Sequence, residues 1–93
     1  MAMWKYTIES GSALHEAIYD GNTERTVSCL LKCYQELYNK LCKADKEEYE
    51  YEIEESIEIL TYYEADPDDE DDVNYYLEEF YDLCDSVRAF IKI

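Results

Sequence analysis

Glycine and proline are nearly missing: two glycines and one proline in 93 residues. With glycine confined to positions 11 and 21, no glycine-rich loop exists to wrap a phosphate. A single histidine, His15, leaves no His-centred catalytic pair, and its ordinary place is a cap or a partly buried position. Carboxylates are so numerous that no chosen pair marks acid–base chemistry. The chain is expected not to be an enzyme. No apolar run reaches the 18 residues of a spanning helix. The start, MAMWKYTIES, lacks a cationic segment followed by an apolar one, so no secretory leader is expected and the expected compartment is the cytoplasm. Bases are scarce too: eight Lys and Arg against 24 Asp and Glu, a net charge of −16. Nucleic acid phosphates and anionic lipid headgroups are both repelled by such a chain, so neither direct nucleic-acid binding nor membrane binding is expected.

Hydrophobic residues make up 47% of the chain, too many for a disordered acidic tail, and eleven tyrosines suit half-buried positions and interfaces. One acidic helical domain over 1–93 is expected. Trp4, Tyr6 and Ile8 alternate with Lys5, Thr7 and Glu9, the period of a half-buried strand. This piece is an extended arm or a short strand, and the tail at 91–93 is a candidate to pair with it. Ser10 or Ser12 can cap a short helix burying Ala13, Leu14, Ala17 and Ile18, stopped at Asp20-Gly21-Asn22. A second helix starts at Asn22 or Thr23, runs to about Lys43 and carries the stripe Val27, Leu30, Leu31, Tyr34, Leu37, Tyr38, Leu41. Asp45 and Glu48 form a capping-box pattern for a third, with Tyr49, Ile53, Ser56, Ile57 and Leu60 inward. Asp66 and Pro67 suit the cap and first turn of a fourth, burying Val73, Leu77, Phe80, Cys84, Val87 and Ile91. The fold class expected is mostly α: a small bundle of three longer helices and one short helix, with the N-terminal arm or strand.

The charge is one-sided. Residues 1–46 hold six acids and six bases, whereas 47–93 hold 18 acids against Arg88 and Lys92. Net charge of roughly 2–8 suffices to keep a small domain soluble. In the third helix, Glu47, Glu50, Glu54 and Glu58 fall in one row about 16 Å long. Asp66, Asp68, Asp69, Glu70, Asp71 and Asp72 cluster around the proline, more acids than a helix start requires. Like charges four apart repel, so a sequence shaped for stability would interleave signs. The excess suits an anionic surface that competes for a basic groove.

The acids of KEEYEYEIEESIEIL (46–60) and DPDDEDDVNYYLEEFYD (66–82), with the small size and tyrosine richness, resemble the small acidic inhibitors of phages and mobile elements: anti-CRISPR and antirestriction proteins that imitate nucleic acid. That resemblance is one of type. It implies stoichiometric inhibition without chemistry, in the host cell cytoplasm if the chain is phage-encoded, of a target such as a CRISPR or restriction nuclease complex. The acids named above would dock on its basic nucleic-acid-binding surface, with Tyr51, Tyr62, Tyr75 and Tyr76 as anchors. The alternatives are a helical adaptor binding protein through a tyrosine-rich face, and a zinc-stabilised interaction domain.

No cofactor is expected. Cys29 and Cys33 lie one turn apart, off the main stripe of their helix, where they either face a second neighbour or, with His15 and Cys84, hold a tetrahedral zinc. The spacing lacks the C-x-x-C signature, and Cys84 reads as a small buried hydrophobe. An EF-hand from Asp66 would need glycine and glutamate where Asp71 and Leu77 stand, so no selective calcium site is expected.

Overall fold

The computed structural model describes residues 4–63 and 70–93. Among them run β1 (Tyr6–Ile8), α1 (Gly11–Tyr19), α2 (Thr23–Lys40), α3 (Lys43–Tyr63), α4 (Glu70–Val87) and β2 (Ala89–Ile91). The mostly α architecture is as expected, with three longer helices and a short one. No helix among the described residues is long and apolar enough to cross a membrane.

Helix α2 is the centre. Asn22 opens it by accepting the Arg25 N–H at 3.0 Å. Its stripe of Val27, Leu30, Tyr34 and Leu37 is buried, and so is a second face carrying Thr26, Cys29 and Cys33. Two apolar faces need neighbours on two sides, and α1, α3, α4 and β1 all pack on it. Tyr34 locks three helices together. Its ring meets Phe80 of α4 edge-on, centroids 4.7 Å apart, while its hydroxyl meets that of Ser56 on α3.

Helix α2 ends at Lys40, short of the expected Lys43, and Asp45 is not the cap of α3. Leu41 is extended, and the Lys46 N–H bonds to the Cys42 carbonyl at 2.8 Å, which puts Cys42 in the capping place and Asp45 inside the first turn. The reason is tertiary. The Tyr6 hydroxyl accepts the Cys42 N–H at 3.0 Å and donates to the Asp45 carboxylate at 2.7 Å, so strand β1 sets where the hairpin turns.

β1 and β2 form a parallel two-stranded sheet, with Tyr6, Thr7 and Ile8 opposite Ala89, Phe90 and Ile91. The pairing partner is thus 89–91 rather than the 91–93 tail, and Ile91 belongs to a strand rather than to the stripe of α4. The helix stops at Val87 because Arg88 turns left-handed, at φ 61°. Glu36 then ties the sheet to the helices. It accepts the Glu9 N–H at 2.7 Å, the Ser10 N–H at 2.9 Å and the Lys40 ammonium at 2.7 Å. Ser10 makes no side-chain cap for α1; Glu36 satisfies the turn in its place.

These contacts give every long helix a direction. α2 ends at the sheet, where the Lys40 ammonium donates to the Thr7 carbonyl at 2.6 Å. α3 leaves from there and α4 returns to it. At 1.5 Å per residue α3 is about 31 Å long, most of the 36 Å long axis of the molecule. The two acidic helices therefore lie antiparallel, both resting on α2.

Candidate protein-docking surface

Ile53 and Leu60 face α2 and are fully buried, and the rest of α3 fans out from them. One flank carries the row predicted from spacing: Glu47, Glu54 and Glu58 exposed, Glu50 half-buried. Glu50 and Glu54 of this row press on the Tyr38 phenol of α2. Burial, then these two carboxylates, push its pKa up. The Lys46 ammonium covers the same ring at 4.6 Å from its centroid.

The opposite flank of α3 faces α4 and carries other acids. Glu52 of α3 and Glu79 of α4 both bear on the buried Tyr34 hydroxyl, whose pKa is raised first by burial and then by charges that include theirs. Three residues further along α3, Glu55 meets Tyr76 of α4, which is half-buried against the core and also faces Asp72 and Glu79. Carboxylates of both helices thus bear on Tyr34 and Tyr76. Sequence spacing singled out the other flank, because a helical wheel shows which residues share a face but not which face meets α4.

Four of the eight bases are paired away from these acids. The ion pairs of the described residues join Lys5 to Asp45, Arg25 to Glu16 and Asp20, Lys40 to Glu36, and Lys92 to Glu9. Every acid in them belongs to the first 45 residues. Among the described residues, Glu47, Glu50, Glu52, Glu54, Glu55, Glu58 and Glu79 have no cationic partner.

Aromatic rings stand among these acids. Tyr51 is 80% exposed, Tyr62 74% and Tyr75 56%. Tyr51 borders a shallow groove with Glu54, Glu55 and Glu58. Tyr75 meets Tyr76 edge-on at 5.2 Å, and the Glu79 carboxylate, charge first and hydrogen bond second, raises its phenol. Asp71 and Asp72 are exposed in the first turn of α4. Asp66, Asp68 and Asp69, with the helix start expected at Asp66 and Pro67, lie outside the described residues. Glu70 opens α4.

The zinc arrangement is not assembled. Among the described residues no group of three or more His, Cys, Asp or Glu side chains is placed to hold a metal. His15 is exposed on α1, bordering a cleft of about 130 Å³ with Leu14, Tyr81 and Ile91. Cys29, Cys33 and Cys84 are buried between helices. Burial first, then neighbouring charges, pushes the Cys33 and Cys84 thiols up to about 12, which keeps both protonated at neutral pH. Their role in the fold is packing. No protein-family model, curated protein or solved structure matches this chain.

Proposed function

We propose that the chain is a stoichiometric protein inhibitor, whose acidic α3–α4 surface docks on the basic nucleic-acid-binding region of a target such as a CRISPR or restriction nuclease complex. The observation that carries the reading is the segregation of charge. Two acidic helices both rest on α2, and no cationic partner meets Glu47, Glu50, Glu52, Glu54, Glu55, Glu58 or Glu79 among the described residues. Such a surface steers encounter with a basic groove and excludes the nucleic acid from it. Exposed tyrosines beside the acids supply apolar anchoring at little entropic cost.

The test is competition. Candidate nuclease complexes, with and without their nucleic acid, are passed over the immobilised chain at rising salt. Empty complexes are expected to bind and loaded ones not, with association slowing about tenfold or more from 50 to 300 mM salt. A partner bound equally well when loaded, and at every salt concentration, would sink the proposal. The exposure of Tyr51, Tyr62 and Tyr75 favours a second reading for that outcome, an adaptor gripping protein through its tyrosine face.

A further inference from the structure

Glycine at position 11 lets α1 and the end of β2 meet closely, since a Cβ there would run into the Ile91 side chain and the Lys92 carbonyl. Beside that contact the surfaces part again. Gly11, Leu14 and His15 of α1, Tyr81 of α4, Ile91 of β2 and Ile93 beyond it border a cleft of about 130 Å³. Leu14 is buried and forms its floor, Ile91 is half-buried, and His15, Tyr81 and Ile93 stand exposed at its mouth. The His15 imidazole and the Tyr81 hydroxyl are the polar side-chain groups of this wall. Among the described residues, neither has a hydrogen-bond or ion-pair partner. An apolar cleft holds water poorly, and a cavity of about 150 Å³ with similar walls takes one benzene ring.

We propose that this cleft binds one small neutral phenol, its ring against Leu14, Ile91 and Ile93 and its hydroxyl at the mouth between His15 and Tyr81. Volume selects a single ring. The mouth selects the substituent, because an imidazole nitrogen and a phenol oxygen can each share a hydrogen bond with a hydroxyl. The Tyr81 ring gives the ligand an aromatic neighbour as well. The net charge of −16 selects against an anionic ring such as benzoate. One ring uses up the volume, so no room is left for the backbone of a peptide that carries it. No residue of α3 borders the cleft. Phenol binding and the docking of the α3 acids on a partner therefore stand or fall separately.

Phenol, its isostere toluene and benzoate are titrated separately into the ¹⁵N-labelled full chain at about 150 mM salt. Phenol should shift the resonances of Leu14, His15, Tyr81, Ile91 and Ile93 together, with one dissociation constant of about 1 mM. Toluene should bind at the same place about three- to tenfold more weakly, for want of the hydroxyl. Benzoate should not bind detectably up to about 20 mM. Tyr81→Phe and His15→Phe each remove hydrogen-bonding atoms and keep a ring. Together they should bring phenol down to the affinity of toluene, while toluene changes by less than about twofold. A merely structural role of these two side chains would not separate the ligands in this way. Shifts scattered over the chain, no saturation up to about 20 mM, or benzoate binding as well as phenol would each overturn the proposal. So would a double variant that keeps phenol's advantage over toluene. N-acetyltyrosinamide, the same ring on a peptide backbone, should bind no tighter than phenol. Tighter binding would assign the cleft to a tyrosine of a protein partner and overturn the free ligand.

Discussion

Cys84 and Cys42 carry the same side chain into opposite surroundings. Cys84 is 2% exposed on α4, its thiol pushed up to about 12 by burial and by neighbours that include Cys33. Cys42 is exposed in the α2–α3 turn, where Tyr6 holds its backbone N–H and its thiol lies against Tyr6 and Asp45, a contact that a serine hydroxyl can keep. Cys84→Asp puts an ionisable group where no water or cation answers it, and should cost about 3 kcal/mol or more. Cys42→Ser leaves the N–H in place and should change stability by less than about 0.5 kcal/mol. Thermal or urea unfolding of the two variants checks this. Equal midpoints would mean that α4 does not present Cys84 to the core.

At the scale of elements, the junction between α1 and β2 leaves no room for a side chain at Gly11. A Cβ placed on Gly11 would lie 2.4 Å from the Ile91 Cγ2 and 2.6 Å from the Lys92 carbonyl oxygen. The side chain could give way, but the carbonyl belongs to the backbone following β2, whose Lys92 N–H bonds the Ile8 carbonyl at 3.1 Å. Gly11→Ala should therefore push α1 and the sheet apart and cost about 1–3 kcal/mol, as overpacking does. Amide exchange gives the local signature: protection should fall first at Phe90 and Lys92, with the α2–α3 hairpin holding. Unchanged protection and an unchanged midpoint would show that the strand is not seated against α1.

For the whole molecule, two electrostatic effects of opposite sign meet below neutral pH. The 18 acids of 47–93 repel one another at pH 7, and neutralising or screening them relieves that strain. Glu36 works the other way. Its desolvation alone would raise its pKa, but the Lys40 ammonium and the Glu9 and Ser10 amides outweigh that and hold it at about 2, below its ordinary 4.5. A depressed carboxylate stabilises the fold fully above about pH 4.5 and loses that contribution as pH falls towards 2. The melting temperature should thus rise as pH drops from 7, pass a maximum near pH 5, and fall steeply below 4. At pH 7 it should also rise with salt. Glu36→Gln should lower the midpoint at neutral pH and flatten the acid limb. An acid limb equally steep in that variant would assign the loss to other groups.

The local signals of sequence reached far into this fold: the capping Asn22, the stop at Gly21, the stripe on α2, and the burial of Val73, Leu77, Phe80 and Cys84 on α4 all follow from periodicity and backbone preference between near neighbours. The same arithmetic confined the acidic excess to residues 47–93, because charge is a property of composition and needs no fold to be counted. Contacts between residues far apart in the chain decided the rest. Tyr6, through Cys42 and Asp45, moved the hairpin turn. Glu36 replaced the Ser10 cap, and pairing across the parallel sheet took Ile91 out of a helix that stops at Arg88. The candidate surface divides in the same way. Spacing put Glu47, Glu50, Glu54 and Glu58 in a row, but only the docking of α3 and α4 on α2 brought Glu52 and Glu79 to bear on the same phenol, Tyr34. A helix fixes which of its residues share a face; which face meets a neighbour depends on the packing of the whole chain.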